Sequence, residues 1–180
     1  MVFKVLQKDL TGRIEIFRFH GVYRLTSCRV AVVSGMDLDQ GMDEFLPVTV
    51  SDAELGAAIR RCHDATRFVD WRTLPKGEAA KTANREWQKK LLLWDQKAME
   101  VTGCKTLKEL YADASYSSST RTKEVYVFFN SQLKEPTEFY SIADHKPEYQ
   151  EFIVPQPASD EALGQAARAA LAAVVYFDQA

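Results

Sequence analysis

The chain is expected to adopt an α+β fold: a mainly antiparallel sheet packed by two capped helices and a long central helix. Three observations predict it. Arg13 to His20 alternates apolar and polar side chains on a two-residue period, the pattern of a half-buried strand. Glu78 to Val101 keeps helical periodicity with no proline or glycine to interrupt it. The third is a phrase written twice: Leu46-Pro47-Val48-Thr49-Val50-Ser51-Asp52-Ala53-Glu54-Leu55-Gly56 recurs as Val154-Pro155-Gln156-Pro157-Ala158-Ser159-Asp160-Glu161-Ala162-Leu163-Gly164. Each copy reads as strand, proline corner and N-capped helix. The unit is used at about 45–67 and at about 152–176 of a single domain spanning 1–180.

Taken in order, Val22-Tyr23-Arg24-Leu25 and Arg29-Val30-Ala31-Val32-Val33 follow the first strand after Gly21, spaced closely enough for an antiparallel meander. Ser34 to Glu44, with two glycines and four acids, reads as a loop. Ser51-Asp52-Ala53-Glu54 is a capping box opening a helix that ends near Thr66, with Leu55, Ile59 and Cys62 on its apolar face. After a connector holding Pro75 and Gly77, the long helix places Trp87, Leu91, Trp94 and Ala98 on one stripe, and Gly103 stops it. Trp87 and Trp94 read as core knobs, and Lys89, Lys90 and Lys97 as a solvated face.

Thr106 to Tyr111 suits a short helix, and the hydroxyl-rich Ser115 to Thr122 an exposed loop. Val125 to Phe129 is a buried strand by its β-branched and aromatic content, and a further strand is expected at Tyr149 to Val154. The closing helix is expected from Ser159 to Val175, with Ser159 as cap. Seven of the fifteen residues from Ser51 to Ala65 are identical at an offset of 108 positions, among them Leu-Gly at the same turn. Glycine inside a helix costs roughly 1 kcal/mol relative to alanine. A close approach of helix to sheet would account for accepting it twice.

Composition bounds the function. The 180 residues, 46% hydrophobic and 27% charged, suit one globular domain with a substantial core. A formal charge of -2 supplies no positive field to recruit nucleic acid or anionic membrane, and neither is expected as a direct partner. Met1 to Asp9 lacks the apolar core of a secretory signal, and Ala166 to Phe177 carries Arg168 and is too short to cross a bilayer. Cys28, Cys62 and Cys104, odd in number and widely spaced, point to reduced thiols in a cytoplasm.

No metal-ligand spacing, nucleophile elbow, phosphate loop or dinucleotide fingerprint occurs, so no cofactor or catalytic residue is expected. His20, His63 and His145 stand far apart, and adjacent helix positions aim His63 and Asp64 in different directions. Arg121 and Lys123 beside the serine run could meet a phosphate, although two charges are a weak signal.

The order of elements carries a resemblance. Arg85-Glu86-Trp87-Gln88-Lys89-Lys90 opens a helix ending near Gly103-Cys104-Lys105. A lysine-bearing helical stretch, the strand Val125 to Phe129, and Phe152-Ile153-Val154-Pro155 follow, and the chain closes with Ser159-Asp160-Glu161-Ala162-Leu163-Gly164-Gln165-Ala166-Ala167-Arg168. This resembles the immunity proteins of bacterial contact-dependent growth inhibition (CDI) systems. The resemblance implies a cytoplasmic inhibitor that is no enzyme. It would bind the toxic C-terminal domain of a delivered surface protein, a nuclease being the expected toxin, and occlude its active site or substrate surface. Against a cationic nuclease cleft, the expected contacts are carboxylates, and Asp37, Asp39, Asp43 and Glu44 form the densest cluster, four in eight residues with no base between. The alternative readings are a small cytoplasmic hydrolase using His63 or His145, and an adaptor with no toxin.

Overall fold

The alternation of the first third becomes strand β1 (Gly12–Phe19), which pairs antiparallel with β2 (Val22–Val30) across a tight turn where Gly21 takes φ 86°. The computed structural model describes residues 9–31, 34–135, 138–141, 146 and 148–176, with the backbone only at 132–135, 138–141 and 176. Val32, Val33, His145 and the stretch before Asp9 therefore lie outside the described residues.

β2 is one strand where two were expected. Thr26, Ser27 and Cys28 do not break it, because they stay paired with neighbours: Thr26 faces Glu15 on one side and Asp43 on the other. The expected loop from Ser34 to Glu44 is likewise partly strand, holding β3 (Ser34–Met36) and the start of β4 (Asp43–Pro47), both antiparallel to β2. Helix α1 (Asp52–Asp64) begins at the expected capping box, with Ser51 Oγ accepting from the Glu54 amide at 3.2 Å and Glu54 accepting from the Ser51 amide at 2.8 Å. β5 (Arg67–Phe68) runs parallel to the far end of β2, and a 3₁₀ turn at Trp71–Thr73 leads to α2 (Glu78–Thr102). Gly103, at φ 76°, ends α2 by donating its amide to Met99 O, and α3 (Leu107–Tyr111) is capped by Thr106.

The serine run is the largest departure. Ser115–Arg121 is strand β6, in the middle of the sheet between β1 and β7 (Val125–Phe129), and Ser115, Ser117 and Ser119 have no exposure. Its place comes from its partners: a strand hydrogen-bonded on both edges needs no apolar side chains of its own, and small hydroxyls let the covering helices come near. Between β7 and the strand expected at Tyr149 to Val154 lies a hairpin, β8 (Ser131–Glu135) with β9 (Glu138–Ser141), before β10 (Glu151–Pro155). Helix α4 (Asp160–Ala172) ends before Val175, which instead opens a two-residue strand β11 (Val175–Tyr176) parallel to β8.

The main sheet runs β10-β7-β6-β1-β2, with β3, β4 and β5 all joined to β2, while β11-β8-β9 form a separate small sheet. Its two halves are related by an approximate twofold. Three antiparallel strands then a capped helix occur as β1-β2-β4-α1 and again as β6-β7-β10-α4. Val22 faces Pro47 in one half and Val125 faces Pro155 in the other. The doubled phrase is the sequence trace of that symmetry.

The two phrase helices pack on each other rather than each glycine meeting the sheet. A Cβ on Gly56 would lie 1.7 Å from Asp160 O, and one on Gly164 would lie 2.0 Å from Asp52 O. Around this crossing Arg60 grips Asp160 at 2.7 Å and the Ala158 carbonyl at 2.8 Å. Reciprocally, Arg168 grips Asp52 at 2.7 Å and the Val50 carbonyl. Each guanidinium thus satisfies the entry to the opposite helix. Beneath them Ile14, Ile16, Leu25, Leu55, Ile59, Tyr126, Phe128, Leu163 and Leu171 form one buried core. Burial of side chains of this size contributes roughly 1.5–3 kcal/mol each.

β1 is not half-solvated as its alternation suggested. Its other face, Phe17 and Phe19, packs with Trp94, Ala98, Leu110 and Tyr111 in a second core under α2 and α3.

Candidate functional site

The four clustered acids stand at the β4 edge of the sheet, Asp37, Asp39 and Asp43 on this second face and Glu44, next along β4, on the opposite face beside α1, and each meets a base from a distant part of the chain. Asp37, almost wholly buried, accepts two hydrogen bonds from the Arg67 guanidinium. Asp39 pairs with Lys90 of α2. Asp43 takes Arg24 Nε and Nη2 on its two oxygens at 2.7 and 2.8 Å, and Lys97 at 2.9 Å. Glu44 accepts from Arg61 of α1 at 2.8 and 3.1 Å.

The loop carrying the acids is pinned to Ser27, whose carbonyl accepts the Asp37 amide at 2.9 Å and whose hydroxyl accepts the Met42 amide at 2.8 Å. Gly41 permits the turn, since a Cβ there would stand 2.5 Å from Asp37 O. Burial acts to raise the Asp37 carboxyl, but hydrogen bonds from Arg67 and nearby backbone amides outweigh it and hold the group below its ordinary value. For Asp43 burial is again the largest influence and is again overcome, here by Arg24 and then Lys97.

Arg24 organises the site. Its side chain has no exposure, lies 3.7 Å from the Trp94 ring and 4.5 Å from the Phe45 ring, and donates Nη1 to the Trp94 carbonyl at 2.5 Å. A planar, weakly hydrated cation between two rings with a bidentate carboxylate is a role lysine cannot fill. A cleft of about 220 Å³ opens beside it, lined by Asp37, Asp43, Lys90, Leu93 and Lys97 among others. Leu92 and Leu93 stand 57% and 63% exposed on the outer face of α2.

Among the residues singled out from sequence, the structure brings Asp39 to Lys90 and Asp43 to Lys97 on the α2 side, and turns Glu44 to the opposite face, to Arg61 of α1. The partners Arg24, Arg61 and Arg67 were missed, since they lie 17 to 30 positions from their acids. A signal for one existed: Arg24 sits mid-strand between Tyr23 and Leu25, where a charge needs a buried partner. Trp94 is a core knob, whereas Trp87 is only half-buried. Arg121 pairs with Asp64 at 2.5 Å. Among the described residues no three His, Cys, Asp or Glu side chains converge to hold a metal, and no helix is long and apolar enough to cross a membrane.

His20 sits at the β1–β2 turn, its Nε2 2.5 Å from Glu109 O. His63 is fully buried, with Nε2 3.1 Å from Ser119 Oγ and Nδ1 without a hydrogen-bond partner. The imidazole and Ser119 hydroxyl thus form a core contact, closed to substrate. Burial, and then the nearby Arg121 charge, push the His63 pKa well below its ordinary 6.5. The unfolded chain therefore binds a proton near pH 6.5 that the native chain refuses, and native stability falls as pH drops below that point. His63→Gln should flatten the decline by roughly 1.4 kcal/mol per pH unit between about pH 6 and 5. Urea denaturation of both proteins across that range checks it; parallel curves would show that His63 is already protonated in the fold.

The sheet is thus covered on one face by the α1–α4 pair and on the other by α2 and α3, an α+β architecture with ion pairs at its β4 edge. The CDI immunity protein family model matches residues 13–173, and the chain belongs to that family. Its fold is shared with a protein of unknown function from Neisseria meningitidis, at TM-score 0.77 and 14% identity over 96% of this chain and 98% of that one. It is shared also with a CdiA-CT/CdiI toxin and immunity complex from Yersinia pseudotuberculosis, at TM-score 0.70 and 14% identity over 91% of this chain and 97% of that one. No curated protein matches the chain.

Proposed function

We propose that this protein binds the toxic C-terminal domain of a CDI surface protein in the cytoplasm of the receiving cell and neutralises it by covering its active site or substrate surface. The reading rests on the family match over residues 13–173, with a shared fold in a toxin and immunity complex as further support. A nuclease is the toxin class we assign. Its phosphate-gripping cleft is basic, and the immunity surface should offer carboxylates to it.

The toxin-facing edge in this reading is the start of β4 with the acidic loop before it, its aspartates beside α2 and Glu44 beside α1. Asp37 belongs to the fold, being buried against Arg67, but Asp39, Asp43 and Glu44 keep 43%, 24% and 23% of their side-chain surface. Exposed ion pairs contribute about 0–1 kcal/mol, so the Lys90 and Arg61 pairs can be exchanged for bases of a partner at little cost. Leu93, exposed and lining the same cleft as Asp37 and Asp43, adds apolar area next to the aspartates.

Co-purification with the toxin domain encoded beside this chain, and rescue of growth when both are expressed, test the function. The face is tested by Asp39→Lys with Glu44→Lys, which leaves the buried Asp37 and Asp43 pairs intact. Association should slow by about tenfold or more at low salt, with the difference shrinking in high salt. Unchanged stopped-flow rates at low salt would move the binding face elsewhere.

A further inference from the structure

Beyond Trp94, on the side away from Arg24, a second cavity of about 290 Å³ lies between α2 and the sheet. Glu15 of β1 is its acid. Phe17, Trp87, Trp94, Tyr111 and Tyr116 give it aromatic sides, and Gly35 lies at its edge. The walls are preformed: Phe17 stacks edge-on to Trp94 at 5.1 Å and leans on Tyr116 at 4.9 Å. Trp87 and Leu91, a helical turn apart, complete the α2 side.

Glu15 is 8% exposed, and its hydrogen bonds come from neutral groups, the Tyr116 hydroxyl and the Cys28 thiol at 3.6 Å. Its ion pair among the described residues is with Arg13 Nε at 3.8 Å, too far for a hydrogen bond, and that nitrogen has no hydrogen-bond partner. Among the described residues this buried carboxylate thus has no hydrogen-bonded countercharge, and it lies in a ring of aromatic side chains. Burial raises its pKa against the lowering pull of Arg13, as expected of a carboxyl whose countercharge is incomplete. Aromatic faces attract cations, and a desolvated carboxylate does so more strongly.

We propose that this cavity receives a lysine or arginine side chain of the toxin domain, Glu15 meeting the charge and the aromatic rings its stem. The inference rests on the toxin-binding reading above and names the chemistry of one contact within it. Both pockets share Trp94, so an inserted basic side chain would sit beside the acidic edge and belong to one continuous interface.

Two variants separate charge from space. Glu15→Gln keeps the shape and removes the charge. Gly35→Phe fills the cavity from the β3 side, where a Cβ meets nothing within 4 Å. Calorimetry against the toxin domain should show binding roughly 30-fold weaker or more for Glu15→Gln and a similar loss for Gly35→Phe, with unchanged circular dichroism. n-Butylguanidinium should alter the tryptophan fluorescence of the free protein and compete with the toxin, while the neutral isostere n-butylurea does neither. Equal toxin affinity in the unaltered protein and both variants would overturn the inference and leave the function standing. Butylguanidinium that binds without competing would also overturn it, making the cavity a small-cation site. No toxin binding by the unaltered protein would overturn the function and this contact together.

Discussion

Arg24→Met is expected to lower folding stability by about 3–5 kcal/mol, because it strands a partly buried carboxylate and removes the cation between two rings. Asp43 would keep Lys97, a half-exposed partner at 2.9 Å, and the Thr26 hydroxyl at 3.3 Å, and Trp94 would lose both its ring contact and the donor on its carbonyl. Arg24→Lys keeps the charge but cannot serve two carboxylate oxygens, the Trp94 carbonyl and two ring faces together, so most of the loss should remain. Arg24→Met combined with Asp43→Leu should recover part of it, since an apolar pair of similar volume avoids the unpaired charge. Urea denaturation gives the ordering directly. A midpoint for Arg24→Met equal to that of the unaltered protein would mean that Arg24 is not the organiser of this face. Because Arg24 joins β2, β4 and α2, the variant should also lose near-ultraviolet dichroism from Trp94.

Gly56→Ala is expected to be as damaging, against the usual direction of that substitution. Alanine in a helix is normally favoured over glycine by about 1 kcal/mol. Here its methyl would meet the Asp160 carbonyl at 1.7 Å, an unyielding backbone atom, so α1 and α4 must move apart. Their separation would loosen the Arg60–Asp160 and Arg168–Asp52 grips and open the core over Leu55 and Leu163. A net loss of about 3 kcal/mol or more is expected, at the upper end for overpacking. The double variant with Gly164→Ala should not fold, domain stabilities being about 5–15 kcal/mol. Gly103→Ala is the control: its φ of 76° is strained for alanine, but nothing lies within 4 Å, so the loss should stay near 1 kcal/mol. Thermal melts of the three variants rank them, and a Gly56→Ala protein more stable than the original would refute the close crossing.

Much of the secondary structure was readable where cause and effect are local. The Ser51 capping box, the stop at Gly103, the alternation of β1 and the aromatic run of β7 each act within a few residues, and each element appears near its expected bounds. β6 was not readable. Serine has little strand preference, and only pairing with β1 and β7 makes Ser115 to Arg121 a central strand. The candidate edge divides the same way. The clustering of Asp37, Asp39, Asp43 and Glu44 is visible in one line of sequence, but their neutralisation by Arg24, Arg61, Arg67, Lys90 and Lys97 depends on four other elements folding alongside.

By itself the sequence determined the α+β class, the two strand-proline-helix units and the family resemblance, since composition, caps and a doubled phrase are properties of adjacent residues. Only the tertiary structure decided what the doubled phrase is for. Two glycines and two arginines 108 positions apart serve one reciprocal helix crossing, and a lone Glu15 in a strand becomes the acid of an aromatic cavity. The reason is physical: close approach, burial and charge compensation are relations between surfaces, and no surface exists until distant segments have packed.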